Sequence, residues 1–377
     1  MTAPLIPPED LLLAPGLVHM QTGGVGAMPR PVFAAMQAAE LEVEADPARE
    51  TYGPGMSHLE KVRAKAAALI NAASADDIVL TTSTTQGMFL IAQGLRFTHG
   101  DHVLTTDHEH PGGRLGWEWA ARRYHIEVDA IPIAPDETDP QAIVGRFADR
   151  ILPRTRVISI SHVLYTTGVK LPVAELCALG REHGCKVVVD GAQGPGAMPV
   201  DVRALGCHAY AASGHKWLLG PKGTGFLYIS PEMSDALDAL PLAAGRGAGS
   251  DSTGIVNIAG LRAMGAAVDY VQAMGPERIA AHNAALRREL HDQLSRFNQV
   301  TIPAPPESPL TSGNLAFCLP DGADLAAIRR NLVRKHKVYI RTVDLAGFKG
   351  LRASLHAYNG SEDIARLVEA LRAELTN

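Results

Sequence analysis

Between about residue 78 and residue 229, short apolar runs alternate with stretches of helical character. This alternation limits what the chain can fold into more than any other feature. Ile78 to Thr81, Asp101 to Thr106, Arg156 to His162, Lys186 to Asp190 and Cys207 to Ala211 read as strands. Segments opening near Met88, Arg114, Pro140 and Pro172 read as helices between them. Strands alternating with helices predict βαβ units, hence an α/β fold with a mostly parallel sheet. The unbroken run Val187-Val188-Val189 fits a strand covered on both faces. In such a sheet, ligands bind beyond the carboxyl ends of the strands, so the residues that follow each run matter most.

Three run-ends carry chemistry. After Cys207 to Ala211 comes Ala212-Ser213-Gly214-His215-Lys216-Trp217, which puts a lysine on a small-residue turn where Gly214 frees the backbone. Read alone, Lys216 fits an ordinary surface lysine equally well. Lys186 to Asp190 ends in an acid, and Gly191-Ala192-Gln193 follows. Ile78 to Thr81 runs into Thr82-Ser83-Thr84-Thr85-Gln86-Gly87, and a helix continues from Met88. Free backbone N–H groups and hydroxyls at a helix start bind phosphate. A phosphate cradle, a strand-end carboxylate and a lysine on a turn are the parts a pyridoxal phosphate enzyme needs. Gly220-Pro221-Lys222-Gly223-Thr224-Gly225 is not a nucleotide loop, because an apolar strand-like run, not a helix, follows it.

Ser213-Gly214-His215-Lys216 and Val189-Asp190-Gly191-Ala192-Gln193 resemble the lysine and aspartate motifs of the class V aminotransferase family. The likeness runs from about Thr22 to near the C-terminus and sits nearest the cystine C–S lyase and isopenicillin N epimerase branch. It implies the type I fold of pyridoxal phosphate enzymes: a large mostly parallel sheet domain with a small α+β C-terminal domain. It also implies a Lys216 Schiff base, Asp190 on the pyridine nitrogen and Gln193 on the ring oxygen. Thr84, Thr85, Ser213 and His215 would hold the phosphate, and His110 of Glu109-His110 would stack on the ring. The other reading of His110, a histidine hydrogen-bonded within its turn, stays open. Ser252 or Thr253 would reach a partner subunit's phosphate in a homodimer with shared sites. Arg352 would fork onto the substrate α-carboxylate, with Arg341 assisting or making an ion pair. Thr22 and Gly23 would line the site. Tyr165 stands where the family typically places an asparagine; an aromatic there fits the cystine lyase-like branch. Desulfurases carry a nucleophilic cysteine between the positions of Arg341 and Arg352, and Thr342 to Leu351 has none. The implied chemistry is C–S β-elimination on cystine or a cysteine derivative. Transamination and epimerisation are alternatives, and a non-catalytic module for a phosphate-bearing ligand is a distant one.

Composition narrows the partners. At 377 residues and 46% hydrophobic, the chain can build a large domain and a smaller one. A net charge of −5 gives no basic field for nucleic acid. No apolar run nears the ~18 residues of a membrane span. The start, Met1 to Leu11, lacks the basic and apolar blocks of a signal peptide. Cys177, Cys185, Cys207 and Cys318 show no paired spacing, which fits a reducing cytoplasm.

The expected layout is an arm over residues 1–20, a large domain over 21–265 and a small one over 266–377. Ser57 to Glu60 has capping-box spacing at a helix start. Asp107-His108-Glu109-His110 has the residue types of a metal site, but no partner cluster is visible and no metal is expected. Near the C-terminus, Val338 to Thr342 and Gly350 to Leu355 read as strands, and Glu362 to Leu375 as a closing helix.

Overall fold

The computed structural model describes residues 1–238 and 255–375. The chain opens with a short strand β1 (Val18–His19) and helices α1 (Arg30–Ala45), α2 (Pro47–Tyr52) and α3 (Ser57–Leu69). Then come β2 (Ile78–Thr81), α4 (Thr84–Gly94), β3 (His102–Thr106), α5 (Pro111–Tyr124), β4 (Glu127–Ile131), α6 (Pro140–Ala148) and β5 (Thr155–Ser161). The alternation continues with α7 (Val173–Glu182), β6 (Lys186–Asp190), α8 (Val202–Leu205), β7 (Ala209–Ser213), β8 (Gly225–Ile229) and α9 (Pro231–Ser234). The C-terminal part holds α10 (Ile258–Met274), α11 (Pro276–Leu294), β9 (Asn314–Phe317), α12 (Leu325–Arg334), β10 (Val338–Tyr339), β11 (Arg341–Leu345), β12 (Phe348–Ser354) and α13 (Ser361–Leu375).

The large sheet has seven strands in the order β2-β8-β7-β6-β5-β3-β4. β8 pairs antiparallel with both β2 and β7; every other pair is parallel. Thr81, Thr106, Ser161, Asp190 and Ser213 therefore end their strands along one edge, and Gly225 starts β8 there. Between β3 and β5 the chain changes direction across the sheet, which opens a crevice at that edge. Val187, Val188 and Val189 are all 0% exposed, as expected for a strand roofed by helices on both faces. At about 1.5–3 kcal/mol per buried aliphatic side chain, such runs hold the sheet together.

Two findings differ from the sequence reading. The capping box at Ser57 does not form: Ser57 follows a 3-10 turn, is itself in helical geometry, and α3 has no side-chain cap. Glu60 instead meets Arg63, whose buried guanidinium also reaches the Ile78 and Ala75 carbonyls. Val338 to Thr342 is not one strand. Val338–Tyr339 pairs in parallel with Val18–His19, whereas Arg341–Leu345 joins β12 and β9 in a separate antiparallel sheet. The N-terminal segment is thus built into the C-terminal part: Val18 and Met20 pack with Leu286, Phe317 and Leu351, and the Ser354 amide donates to the Met20 carbonyl at 2.8 Å.

Candidate active site

The strand ends gather the expected residues at one place. Ser213, at the end of β7, accepts from the Thr84 amide at 2.9 Å and bonds the Thr84 hydroxyl at 2.8 Å. This tie seats the Lys216 turn on the start of α4, where Ser83 caps the helix through the Gln86 amide. Thr85 is exposed beside that start. His215 Nδ1 is buried with no hydrogen-bond partner among the described residues. The resulting cluster of hydroxyls, helix N-terminus and imidazole suits a phosphate.

Asp190 ends β6 and is 5% exposed. Its Oδ1 accepts from the Ala192 amide at 3.0 Å. Its Oδ2 lies 2.8 Å from where a Cβ on Gly113 would stand, so the bare backbone of α5 backs the carboxylate. Burial raises the Asp190 pKa, and the Lys216 charge opposes that rise. Lys216 is pressed down from 10.5 to about 8, chiefly by burial and then by Arg352 and Arg341, against the pull of Asp190. An amine so placed reaches its free, nucleophilic form at a pH well below that of an ordinary lysine, half of it near pH 8.

Arg352, on β12, is fully buried. One nitrogen donates to the Tyr165 carbonyl, while Nε and Nη2 have no partner among the described residues. A buried guanidinium with two unused donors is costly unless an anion completes it, and a carboxylate fits that fork. Gly23 sits against it, since a Cβ there would lie 2.9 Å from Nη2 and 2.7 Å from Gln193 Oε1. Arg341 is the cross-strand neighbour of Arg352. Its guanidinium stands 5.4 Å from the Tyr165 ring centre, and the Tyr165 ring meets His110 edge-on at 4.9 Å. His110 is lowered to about 4 by burial and then by the Lys216, Arg341 and Arg352 charges, so its ring is neutral. His110 Nδ1 also caps α5 by accepting from the Gly112 amide at 3.0 Å. The imidazole is thus hydrogen-bonded in its turn and also borders the crevice.

Some expectations land differently. The Thr22 hydroxyl is buried against the Tyr358 hydroxyl, so Gly23, not the Thr22 side chain, faces Arg352. Gln193 donates to the Gly23 carbonyl and accepts from Trp217 Nε1 at 2.8 Å, which leaves one amide hydrogen for a ligand. Ser252 and Thr253 lie outside the described residues. The Asp107–His110 run does not converge. His108 binds Thr166 and the Ile133 carbonyl, Glu109 binds Thr106 and Ser161, and His110 caps α5. Among the described residues, Glu42, Glu50 and His58 come within metal-binding reach of one another, but Arg262 lies between the two carboxylates. Trp217, against Gln193, and Gly113, against Asp190, were not legible as site neighbours. They act by backing a neighbour, and no motif spacing marks that.

The family model for aminotransferase class-V matches residues 23–367. The chain is 32% identical to the isopenicillin N epimerase of Streptomyces clavuligerus over 96% of each chain. Its fold superposes on an apo cysteine desulfurase from Thermococcus onnurineus NA1 with a TM-score of 0.85, at 25% identity, over 97% of this chain and 96% of that one. It superposes on the cystine C–S lyase C-DES, in complex with its reaction product cysteine persulfide, with a TM-score of 0.84, at 26% identity, over 95% of this chain and 97% of that one. Among the described residues, the unpartnered nitrogens of Arg352 and His215, and a lysine of lowered pKa whose charge is felt by Asp190, fit a phosphate-bearing aldehyde together with a carboxylate substrate. This chain is an enzyme of the class V aminotransferase family, has the type I fold, and uses pyridoxal 5'-phosphate as its cofactor.

Proposed function

We propose that this enzyme performs C–S β-elimination on cystine or a cysteine derivative. When bound, the cofactor draws electron density away from the substrate Cα. Arg352 orients the substrate by its α-carboxylate through Nε and Nη2. Lys216 Nζ, poised near a pKa of about 8, takes the Cα proton. Asp190 holds a proton on the ring nitrogen, and Gln193 offers its remaining amide hydrogen to the ring oxygen. Thr84, Thr85, Ser213 and His215 anchor the phosphate, while neutral His110 and Tyr165 wall one side. As the Cα proton leaves, the Cβ–S bond breaks and the sulfur departs with the bonding pair.

One observation carries this choice over persulfide storage on the enzyme. β11 and β12 are joined by Ala346 and Gly347 alone, both at positive φ, with Leu345 facing Phe348. That is a tight two-residue hairpin. It presents no cysteine, and the four thiols lie elsewhere: three buried, and Cys318 just beyond β9. An elimination needs no enzyme thiol. The test is to incubate the enzyme with cystine and with S-substituted cysteines and to assay pyruvate. A keto acid that keeps the whole substrate skeleton would instead mark transamination. The 32% identity to an isopenicillin N epimerase favours a second reading, epimerisation. Its mark is inverted substrate carrying solvent deuterium at Cα. A colourless protein unlabelled at Lys216 after borohydride treatment would leave only a non-catalytic binding module.

The same reading includes a homodimer in which Thr253, or Ser252, reaches the neighbouring site. A sedimentation mass near one chain would oppose it. It also includes a division near residue 265 and a cytoplasmic location. Among the described residues no helix is long and apolar enough to cross a membrane.

A further inference from the structure

A second buried carboxyl lies beside Asp190, and the proposed reaction does not use it. Glu109 is 4% exposed and sits in the turn between β3 and α5. Three donors converge on it. Thr106 Oγ1 donates to Oε1 at 2.7 Å, the Ser161 amide donates to Oε1 at 3.0 Å, and Ser161 Oγ donates to Oε2 at 2.6 Å. Thr106 ends β3 and Ser161 ends β5, and Ser161 is the register neighbour of Asp190 on β6. The carboxyl thus bridges two strand ends and abuts a third. Among the described residues its hydrogen bonds come from two hydroxyls and an amide, none of them a cation. A buried acid kept without a counter-ion is an expensive way to join strands, since a neutral amide could make similar bonds.

We propose that Glu109 is a positioning residue whose charge sets how firmly Asp190 holds a proton on the ring nitrogen of the bound cofactor. The inference rests on Asp190 facing that nitrogen. A negative Glu109 adds a second field in a poorly screened pocket and favours the protonated ring; a neutral Glu109 relaxes that hold. Burial, with Asp190 adding to it, raises Glu109 from 4.5 to about 7, so the change falls within ordinary working pH. The titratable groups facing Glu109 are Asp190 from β6 and Tyr165 from the segment after β5. His108 and His110 flank it in its own turn, and Lys216, after β7, offsets Asp190. The proton exchanges with solvent, and the Thr106 and Ser161 hydroxyls can rotate to accept from the neutral acid.

The test uses the holoenzyme loaded with ring-nitrogen-labelled pyridoxal phosphate. The ¹⁵N resonance and the visible absorption are followed against pH in wild type, Glu109→Gln and Ser161→Ala. Wild type is expected to show an inflection near 7. Glu109→Gln, which keeps the shape, is expected to lose it. Ser161→Ala, which removes a donor from the charged form, is expected to move it to higher pH. An inflection unchanged in Glu109→Gln overturns the inference. Should that variant not fold, an unmoved inflection in Ser161→Ala does the same. A wild-type protein that gains no visible band with the cofactor sinks the site reading and this inference together. A band that depends on Lys216, with a titration indifferent to Glu109, sinks this inference alone.

Discussion

Arg352 and Lys216 are the residues whose loss should separate binding from chemistry. Replacing Arg352 by Met removes the two charge-assisted donors proposed for the α-carboxylate and is expected to lower kcat/KM about 10- to 100-fold, mainly through KM. Lys216→Ala is expected to lower turnover by at least about 10²- to 10⁴-fold and to abolish borohydride labelling. The lysine's depressed pKa gives a pH signature. In the cofactor-free protein the rate of cofactor incorporation should climb as pH rises to about 8 and level off beyond it. A rate still climbing to pH 10 would show an unperturbed amine. Glu109 gives a stability signature of defined sign. Its folded-state pKa of about 7 exceeds 4.5, so the folded protein binds the extra proton between those values. Relative to Glu109→Gln, wild type should therefore lose stability as pH climbs through that window and stay flat above it. Denaturant midpoints at several pH values would show this.

The start of α5 shows how an element, not a side chain, shapes the site. Gly112, Gly113 and Gly116 bring this helix against Thr85, Asp190 and Ala92, leaving 2.2, 2.8 and 3.0 Å for a Cβ. Gly113→Ala would gain helix propensity of about 1 kcal/mol yet push on the Asp190 carboxylate. The expected result is weaker cofactor affinity with little loss of apo-protein Tm, read by spectral titration and thermal melts. The elements that carry these contacts were largely legible. The apolar runs located five of the seven sheet strands, β2, β3, β5, β6 and β7, to within a few residues. The polar residues just past them, Thr84, Asp190, Ser213 and Lys216, fall at one sheet edge because parallel strands put their carboxyl ends together. What escaped was non-local. Whether Ser57 caps a helix depends on the 3-10 turn before it. Whether Val338 to Thr342 is one strand depends on β1 arriving from over three hundred residues away. Thr22 was expected to face the pocket, but Tyr358 claims its hydroxyl. Local pattern carries no information about such partners.

At the scale of the molecule, the termini meet. β1 pairs with β10, the Leu5 and Ile6 amides donate to the Ala357 carbonyl, and Gln21 bridges to Ser354 beside the Arg352 strand. Met20 is 0% exposed among the C-terminal apolar residues. Deleting residues 1–20 should therefore cost several kcal/mol, as large-to-small core changes of about 2–5 kcal/mol each do. It should also raise KM more than it lowers kcat, because Gly23 loses its register beside Arg352. An unaltered KM in a folded truncation would refute that coupling. This closure has a consequence during synthesis. β6, which ends in Asp190, and β7, which leads to Lys216, leave the ribosome well before β12, whose arginine is proposed to meet the substrate. A growing chain can thus assemble the part of its pocket that holds the vitamin before it owns the arginine proposed to seat the substrate's carboxylate, and on that reading substrate capture is the last property the newborn enzyme acquires.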